Sequence, residues 1–248
     1  MIEVVDLYKS FNDHEVLRGV NLKVEEGQTL ALIGGSGKGK SVLLKLIIGL
    51  TKPDRGRILI NNQDISKLRG KLLRQLKERC GIVFQGGALF DSLTVFDNVA
   101  FPLREKTRMK ESQIRDTVLA ELARVGLSGA ENKYSAEISG GMKKRVALAR
   151  CLVIKPEIVL FDEPTTGLDP LIGKAIHKLI RDCQKSLNFT ALMVTHEIPA
   201  IFSLVDRVAM LYNGKIIASG TPAEIENSQD PVIHQFVHGE LEGPIPIQ

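Results

Sequence analysis

Thr29-Leu30-Ala31-Leu32-Ile33 runs without a charge into Gly34-Gly35-Ser36-Gly37-Lys38-Gly39-Lys40-Ser41, and the residues that follow place Leu43, Leu44, Ile47 and Ile48 at helical spacing. A continuous apolar strand is buried on both faces, and strand, glycine turn and helix in that order form half of a parallel βα unit. Ile158-Val159-Leu160-Phe161 and Thr190-Ala191-Leu192-Met193-Val194 have the same character, with a helical stretch from Leu171 to Leu187 between them. Cys80 to Phe84 supplies a further candidate core strand. The fold class this predicts is α/β, a doubly wound core of mainly parallel strands. With 248 residues, 44% of them hydrophobic, the chain can build one sizeable core without a disulfide or metal staple.

Around that core the pattern changes. Val4 to Tyr8 and Val16 to Val24 alternate as antiparallel strands with one wet face do, and Ile58-Leu59-Ile60 returns to that small antiparallel β-layer. From about Val95 to Cys151 the spacing is helical, with Pro102 and the Gly126 to Gly129 region expected as breaks. Asn213-Gly214, flanked by Val208 to Tyr212 and Lys215 to Ala218, predicts a hairpin closed by a type I′ turn. Gly239 to Gln248, with Pro244 and Pro246, reads as an extended tail.

Composition excludes several classes of protein. A charged fraction of 25% beside that apolar content is incompatible with a mainly disordered or collagenous chain. Apolar stretches such as Gly27 to Gly37 contain glycines and fall short of the roughly 18 residues that a spanning helix needs. Glu3 and Asp6 stand where a signal peptide would carry bases, so a cytoplasmic protein is expected. Cys80, Cys151 and Cys183 are widely spaced and contain no C-x-x-C pair, as a reducing compartment permits. The net charge of +4 is mild beside that of a typical nucleic-acid footprint and decides nothing by itself. Lys67, Arg69, Lys71, Arg74, Lys77 and Arg79 interleave with Leu68, Leu72, Leu73 and Leu76, which reads as a solvated helix face over a buried leucine stripe in preference to a nucleic-acid or anionic-lipid contact, since nothing aromatic is interleaved.

Gly34 to Ser41 fits G-x-x-x-x-G-K-[ST], between the strand and the helix that this pattern requires. Gly34, Gly35, Ser36, Gly37, Lys38 and Gly39 let the backbone curl so that successive N–H groups face a phosphate. Lys40 then bridges the β- and γ-phosphates, and the Ser41 hydroxyl ligates Mg²⁺. Phosphate binding alone leaves kinase, GTPase, helicase and transporter motor open. Asp162 and Glu163 end the 158–161 strand at its carboxyl edge, where ligands of an open α/β sheet bind. There Asp162 would hold the metal shell and Glu163 would orient and deprotonate water, although an Asp-Glu pair after a strand is also a common plain turn.

Ile138-Ser139-Gly140-Gly141-Met142-Lys143-Lys144-Arg145-Val146-Ala147-Leu148-Ala149-Arg150 resembles the signature segment of the ABC-transporter ATPases. The other motifs of that family follow in its order over residues 2 to 220. Phe11 is similar to the adenine-stacking aromatic, residues 34 to 41 to Walker A, Gln85 to the Q-loop, Asp162 and Glu163 to Walker B, Leu168-Asp169 to the D-loop and His196 to the H-loop. The resemblance implies a P-loop NTPase domain over 1–227 with a helical subdomain inserted at about 95–151, and a C-terminal helix and tail over 228–248. It implies ATP and Mg²⁺ as cofactors, with Gln85 joining Ser41 and Asp162 at the metal and His196 contacting the γ-phosphate. It also implies a two-fold dimer in which Ser139, Gly140 and Gly141 reach the ATP of the other subunit and Asp169 couples the two sites.

Val42 stands where the family usually carries a hydroxyl residue, leaving only its backbone N–H for the α-phosphate, and Ile138 and Met142 replace the usual Leu and Gln. Met142, the segment from Phe84 to Arg104 and the tail from Gln235 to Pro246 resemble one subgroup, the ATPases of MCE-type (Mla-like) lipid transporters. That resemblance implies a homodimer on a membrane permease with an MCE-domain lipid-binding partner, peripheral on the cytoplasmic face of the inner membrane, acting on phospholipid and not on nucleic acid. It also leads to the expectation that residues 240–248 dock on the partner ATPase. ABC-type ATPases of ribosome or nucleic acid carry two cassettes or a long insertion, whereas about fifty residues separate Gln85 from Ser139. A cassette that only binds nucleotide would lack Glu163 or His196, and both are present.

Overall fold

The computed structural model describes residues 1–12 and 14–246. In chain order the elements are β1 (Ile2–Phe11), β2 (His14–Val24), β3 (Thr29–Ile33), α1 (Lys40–Ile47), β4 (Arg55–Ile60), β5 (Gln63–Asp64), α2 (Gly70–Glu78), β6 (Cys80–Val83), α3 (Val95–Lys106), α4 (Glu111–Arg124), α5 (Gly140–Leu152), β7 (Ile158–Asp162), α6 (Pro170–Leu187), β8 (Thr190–Val194), β9 (Arg207–Tyr212), β10 (Lys215–Gly220), α7 (Pro222–Glu226) and α8 (Pro231–His238). They fall into two compact units, one of residues 1–77 with 190–248 and one of residues 78–189.

In the first unit β3 lies parallel to both β8 and β9, with Ala31 opposite Met193 on one side and Val208 on the other. Every residue of β3 and of β8 is buried, as expected for strands covered on both faces. β10 closes the edge antiparallel to β9 through Asn213 and Gly214, whose φ angles of 46° and 77° are those a type I′ turn requires. A separate antiparallel sheet runs in the order β2-β1-β4-β5 and turns Ile2, Val4, Leu7, Leu17, Val20 and Ile58 inward. The parallel core and the antiparallel layer are thus both as the sequence predicts.

In the second unit β6 and β7 are parallel, with Gly81 opposite Val159. Cys151 Sγ stands 2.4 Å from where a Cβ on Gly81 would be, so only glycine lets α5 lie this close to the strand. Asp169 begins α6 by accepting the N–H groups of Leu171 and Ile172, both at 3.0 Å, a cap of about 1 kcal/mol. Burial pushes the thiols of Cys80 and Cys183 up to about 11 and that of Cys151 to about 12.

Three expectations are corrected. Pro102 does not break the helical region but lies inside α3, where Val95, Asn98, Val99 and Leu103 are buried and packing outweighs one missing N–H. The leucines of the basic stretch form no buried stripe: in α2 only Leu76 is buried and Leu72 is 62% exposed. The tail bends instead of extending, because the buried Gln235 amide on α8 accepts from Ile245 N at 2.7 Å and donates to Ile245 O at 3.1 Å. Ile247 and Gln248, which the tail expectation included, lie outside the described residues.

Candidate nucleotide site

The loop after β3 is shaped by close approach of backbone to backbone. Gly34 has φ of +146°, and a Cβ there would lie 2.3 Å from the Leu211 carbonyl oxygen, so no other residue fits. Gly39, at φ of +100°, precedes the first residue of α1 and presses against Val16. Lys40, the first residue of that helix, is only 4% exposed, and its ammonium donates to the carbonyls of Gly34 at 2.7 Å and Gly35 at 2.8 Å. A buried cation is thereby fixed beneath the loop while Ser36, Gly37 and Lys38 stay exposed, and Ser41 and Val42 are half-buried. In the same unit Phe11 ends β1 with 46% of its surface exposed, the Lys9 ammonium 5.3 Å from its ring centre. His196 is exposed two residues beyond β8, on a turn held by the buried Thr195 hydroxyl, which accepts from Glu197 N at 3.0 Å.

The second unit holds the other candidates. β7 delivers Asp162 and Glu163 past four buried residues. Glu163 takes the left-handed conformation, with φ of 50°, which a side chain larger than glycine adopts only where its surroundings enforce it. Two contacts do so. The Thr166 hydroxyl donates to Glu163 Oε2 at 3.0 Å, and Thr165 Oγ1 lies 3.1 Å from His177 Nε2 on α6, with Thr165 and His177 1% and 2% exposed.

Ser139 caps α5, its hydroxyl accepting from Met142 N at 3.3 Å, a bond that uses the backbone of Met142 and not its side chain. Ser139, Gly140 and Gly141 line an open groove of about 710 Å³ together with Lys133, Arg145 and Asp169. The structure therefore brings the signature and Asp169 together. Gln85 is exposed just beyond β6, and its carbonyl accepts from the Lys144 ammonium of α5. Arg150, near the other end of α5, donates to Ala88 O at 2.8 Å and Gly87 O at 2.7 Å, and burial lowers its pKa. The loop after Gln85 is thus strung along the helix that Ser139 begins. Asn98, 1% exposed, continues this by accepting from Phe90 N and donating to the carbonyls of Phe90, Leu93 and Thr94.

Thr166, His177, Lys144, Arg150 and Asn98 were not singled out by sequence reasoning. A buried polar residue among apolar ones, as at Asn98 and His177, is the one signal that could have raised them.

A family model described as ABC transporter matches residues 17–166, a span that contains the glycine loop, the signature and the Asp-Glu pair. The chain belongs to the ABC transporter family. This cassette is 45% identical over 244 residues, 98% of its own length and 68% of the other's, to the probable ribonucleotide transport ATP-binding protein mkl of Mycobacterium tuberculosis. It is 42% identical over 245 residues to the intermembrane phospholipid transport system ATP-binding protein MlaF of Haemophilus influenzae, covering 99% of this chain and 93% of that one. Among solved structures it is similar to the dimeric ATP-binding cassette MJ0796 bound to ADP and Pi, with a TM-score of 0.81 and 31% identity over 90% of this chain and 99% of the other. It is an ATP-binding, ATP-hydrolysing subunit of a transporter with a P-loop NTPase fold, and no helix among the described residues is long and apolar enough to cross a membrane.

Proposed function

We propose that two copies of this cassette hydrolyse Mg²⁺-ATP between them to drive a phospholipid permease of the Mla type. Lys40 and the N–H groups of residues 34–42 hold the phosphates, with Phe11 against the base. The loop suits that role because its one buried cation is fixed in place before any anion arrives. Ser41 and Asp162, with Gln85, are the hard-oxygen donors assigned to Mg²⁺, which when bound neutralises charge between the phosphate oxygens. Glu163 accepts the proton of the attacking water, and Thr166 holds its carboxylate in one orientation. His196 donates to the terminal phosphate, so that charge building there meets a fixed partner.

The observation that carries the two-copy arrangement is the groove shared by Ser139 and Asp169. Ser139 begins a 13-residue helix whose first N–H groups favour an anion, so the groove is suited to the γ-phosphate of a second copy. Similarity to the Haemophilus phospholipid ATPase along almost the whole chain supports lipid as the cargo. By the same reading the partners are a permease and an MCE-domain lipid-binding protein, and the cassette sits on the cytoplasmic face of the inner membrane.

The mycobacterial relative, named for ribonucleotide transport, favours a second reading in which the permease moves ribonucleotides. Purification of the tagged chain from its host in mild detergent, with mass spectrometry of proteins and lipids, separates the two. A permease with an MCE-domain protein and bound phospholipid is expected. A permease with nucleotide cargo and no such partner would overturn the lipid reading and leave the motor intact.

A further inference from the structure

A pocket of about 320 Å³ opens in the first unit between the end of α1, the turn leading into β4 and the start of α2. None of its lining residues belongs to the glycine loop. Among them is Thr51, whose hydroxyl is buried and has no hydrogen-bond partner. That hydroxyl has no surface open to the pocket, so Thr51 belongs to its wall and the charged neighbours face the opening.

Lys52, Arg55 and Arg69 surround the same pocket. None of the three is in an ion pair among the described residues: Arg55 rests on the Tyr8 ring at 5.0 Å, and Arg69 spends one nitrogen on the carbonyls of Ser66 and Leu68. The one carboxylate at the pocket, Asp54, is already satisfied by Lys9 Nζ and Ser10 N, both at 2.6 Å. Three cations therefore border one space with no acid free to answer them. Donors arriving from several directions suit the oxygens of a phosphate better than the two oxygens of a carboxylate. Leu73 forms an apolar wall, and Leu72 beside it on α2 is 62% exposed.

We propose that this pocket binds a phosphate monoester or diester anion, with Lys52, Arg55 and Arg69 as its donors and the headgroup of an anionic phospholipid as the ligand form that the exposed Leu72 favours.

The test is vesicle flotation of the full chain in saturating ADP, which fills the glycine loop. Phosphatidylcholine vesicles with and without phosphatidylglycerol are compared, and glycerol phosphate is titrated by calorimetry in the same buffer. Binding to the phosphatidylglycerol vesicles is expected to fall about 10²-fold in the combined Lys52→Ala, Arg55→Ala, Arg69→Ala variant, and about fivefold in Lys52→Ala alone, with basal ATP turnover unchanged in both. Affinity confined to vesicles supports the bilayer as source, and equal affinity for glycerol phosphate with the same sensitivity supports a free phosphate ester. No binding of either probe, or binding indifferent to both variants, would overturn the site.

Discussion

The Thr166 hydroxyl donates to Glu163 Oε2 across 3.0 Å, three residues on from a glutamate whose backbone is held at φ of 50°. A general base works only in the orientation that faces its proton, and in the proposed role of Glu163 this bond would help to set that orientation. Thr166→Val should lower kcat about tenfold and leave KM for ATP within a factor of two, as expected for losing one hydrogen bond to a charged group. Glu163→Gln should lower kcat by about 10² to 10⁴ with ATP binding retained. A Thr166→Val enzyme with wild-type kcat would show that the bond does not position the base.

Beside Thr166 in the chain, Thr165 Oγ1 and His177 Nε2 meet at 3.1 Å, both residues buried. His177→Leu leaves that hydroxyl without the imidazole and should cost about 1–3 kcal/mol in urea unfolding. The double variant with Thr165→Val should recover part of the loss, since both polar groups are then gone. Equal losses in the single and double variants would contradict the pairing.

Gly34→Ala tests the loop. Its new methyl would meet the Leu211 carbonyl at 2.3 Å with φ at +146°, so destabilisation of at least ~1–3 kcal/mol is expected, with loss of ATP binding. Gly37→Ala has a positive φ but nothing within 4 Å, so its loss should be smaller. Unfolding midpoints for the two variants check the order.

How the second unit responds to acid follows from α3. The Thr94 hydroxyl, and after it the Arg104 guanidinium at 2.9 Å, hold the Asp97 carboxyl below its usual value. A depressed carboxylate stabilises the fold fully above about pH 4, the ordinary value for the unfolded chain, and loses that contribution as pH falls through the lower folded value. The side chain is 33% exposed, so solvent screening limits this to about 0.5–1 kcal/mol. Asp97→Asn should lower stability by that amount at neutral pH and match the wild type once pH falls below the folded value, so the acid limb flattens; urea unfolding across pH checks this.

Much of this was legible from residue order, for a physical reason. Buried strands such as β3, β7 and β8 must be apolar throughout, and a loop that wraps a phosphate must be glycine-rich, so both leave local marks at Thr29 to Ser41. Asn213-Gly214 marks its turn in the same way. Lys144 and Arg150 leave no such mark, because what they bind are carbonyls about sixty residues away that any sequence would supply. Leu72 misled because helical spacing says which residues share a face and not whether anything covers it. Pro102 misled because its rule is local while the packing that overrides it is not. The bend of the tail rests on a single buried amide, Gln235, which reads in sequence as an ordinary polar residue.

The account turns on ATP being held by the glycine loop of one copy and the signature of another, and complementation tests this directly. Lys40→Ala removes the first half-site and Ser139→Arg the second, so each variant alone should be inert. Mixed in equal amounts and allowed to exchange, half the dimers carry one of each, and every such dimer has one intact site. Turnover should then recover to about a quarter of the wild-type rate. A mixture as inert as its components, at concentrations where the wild-type protein is active, would contradict the shared site.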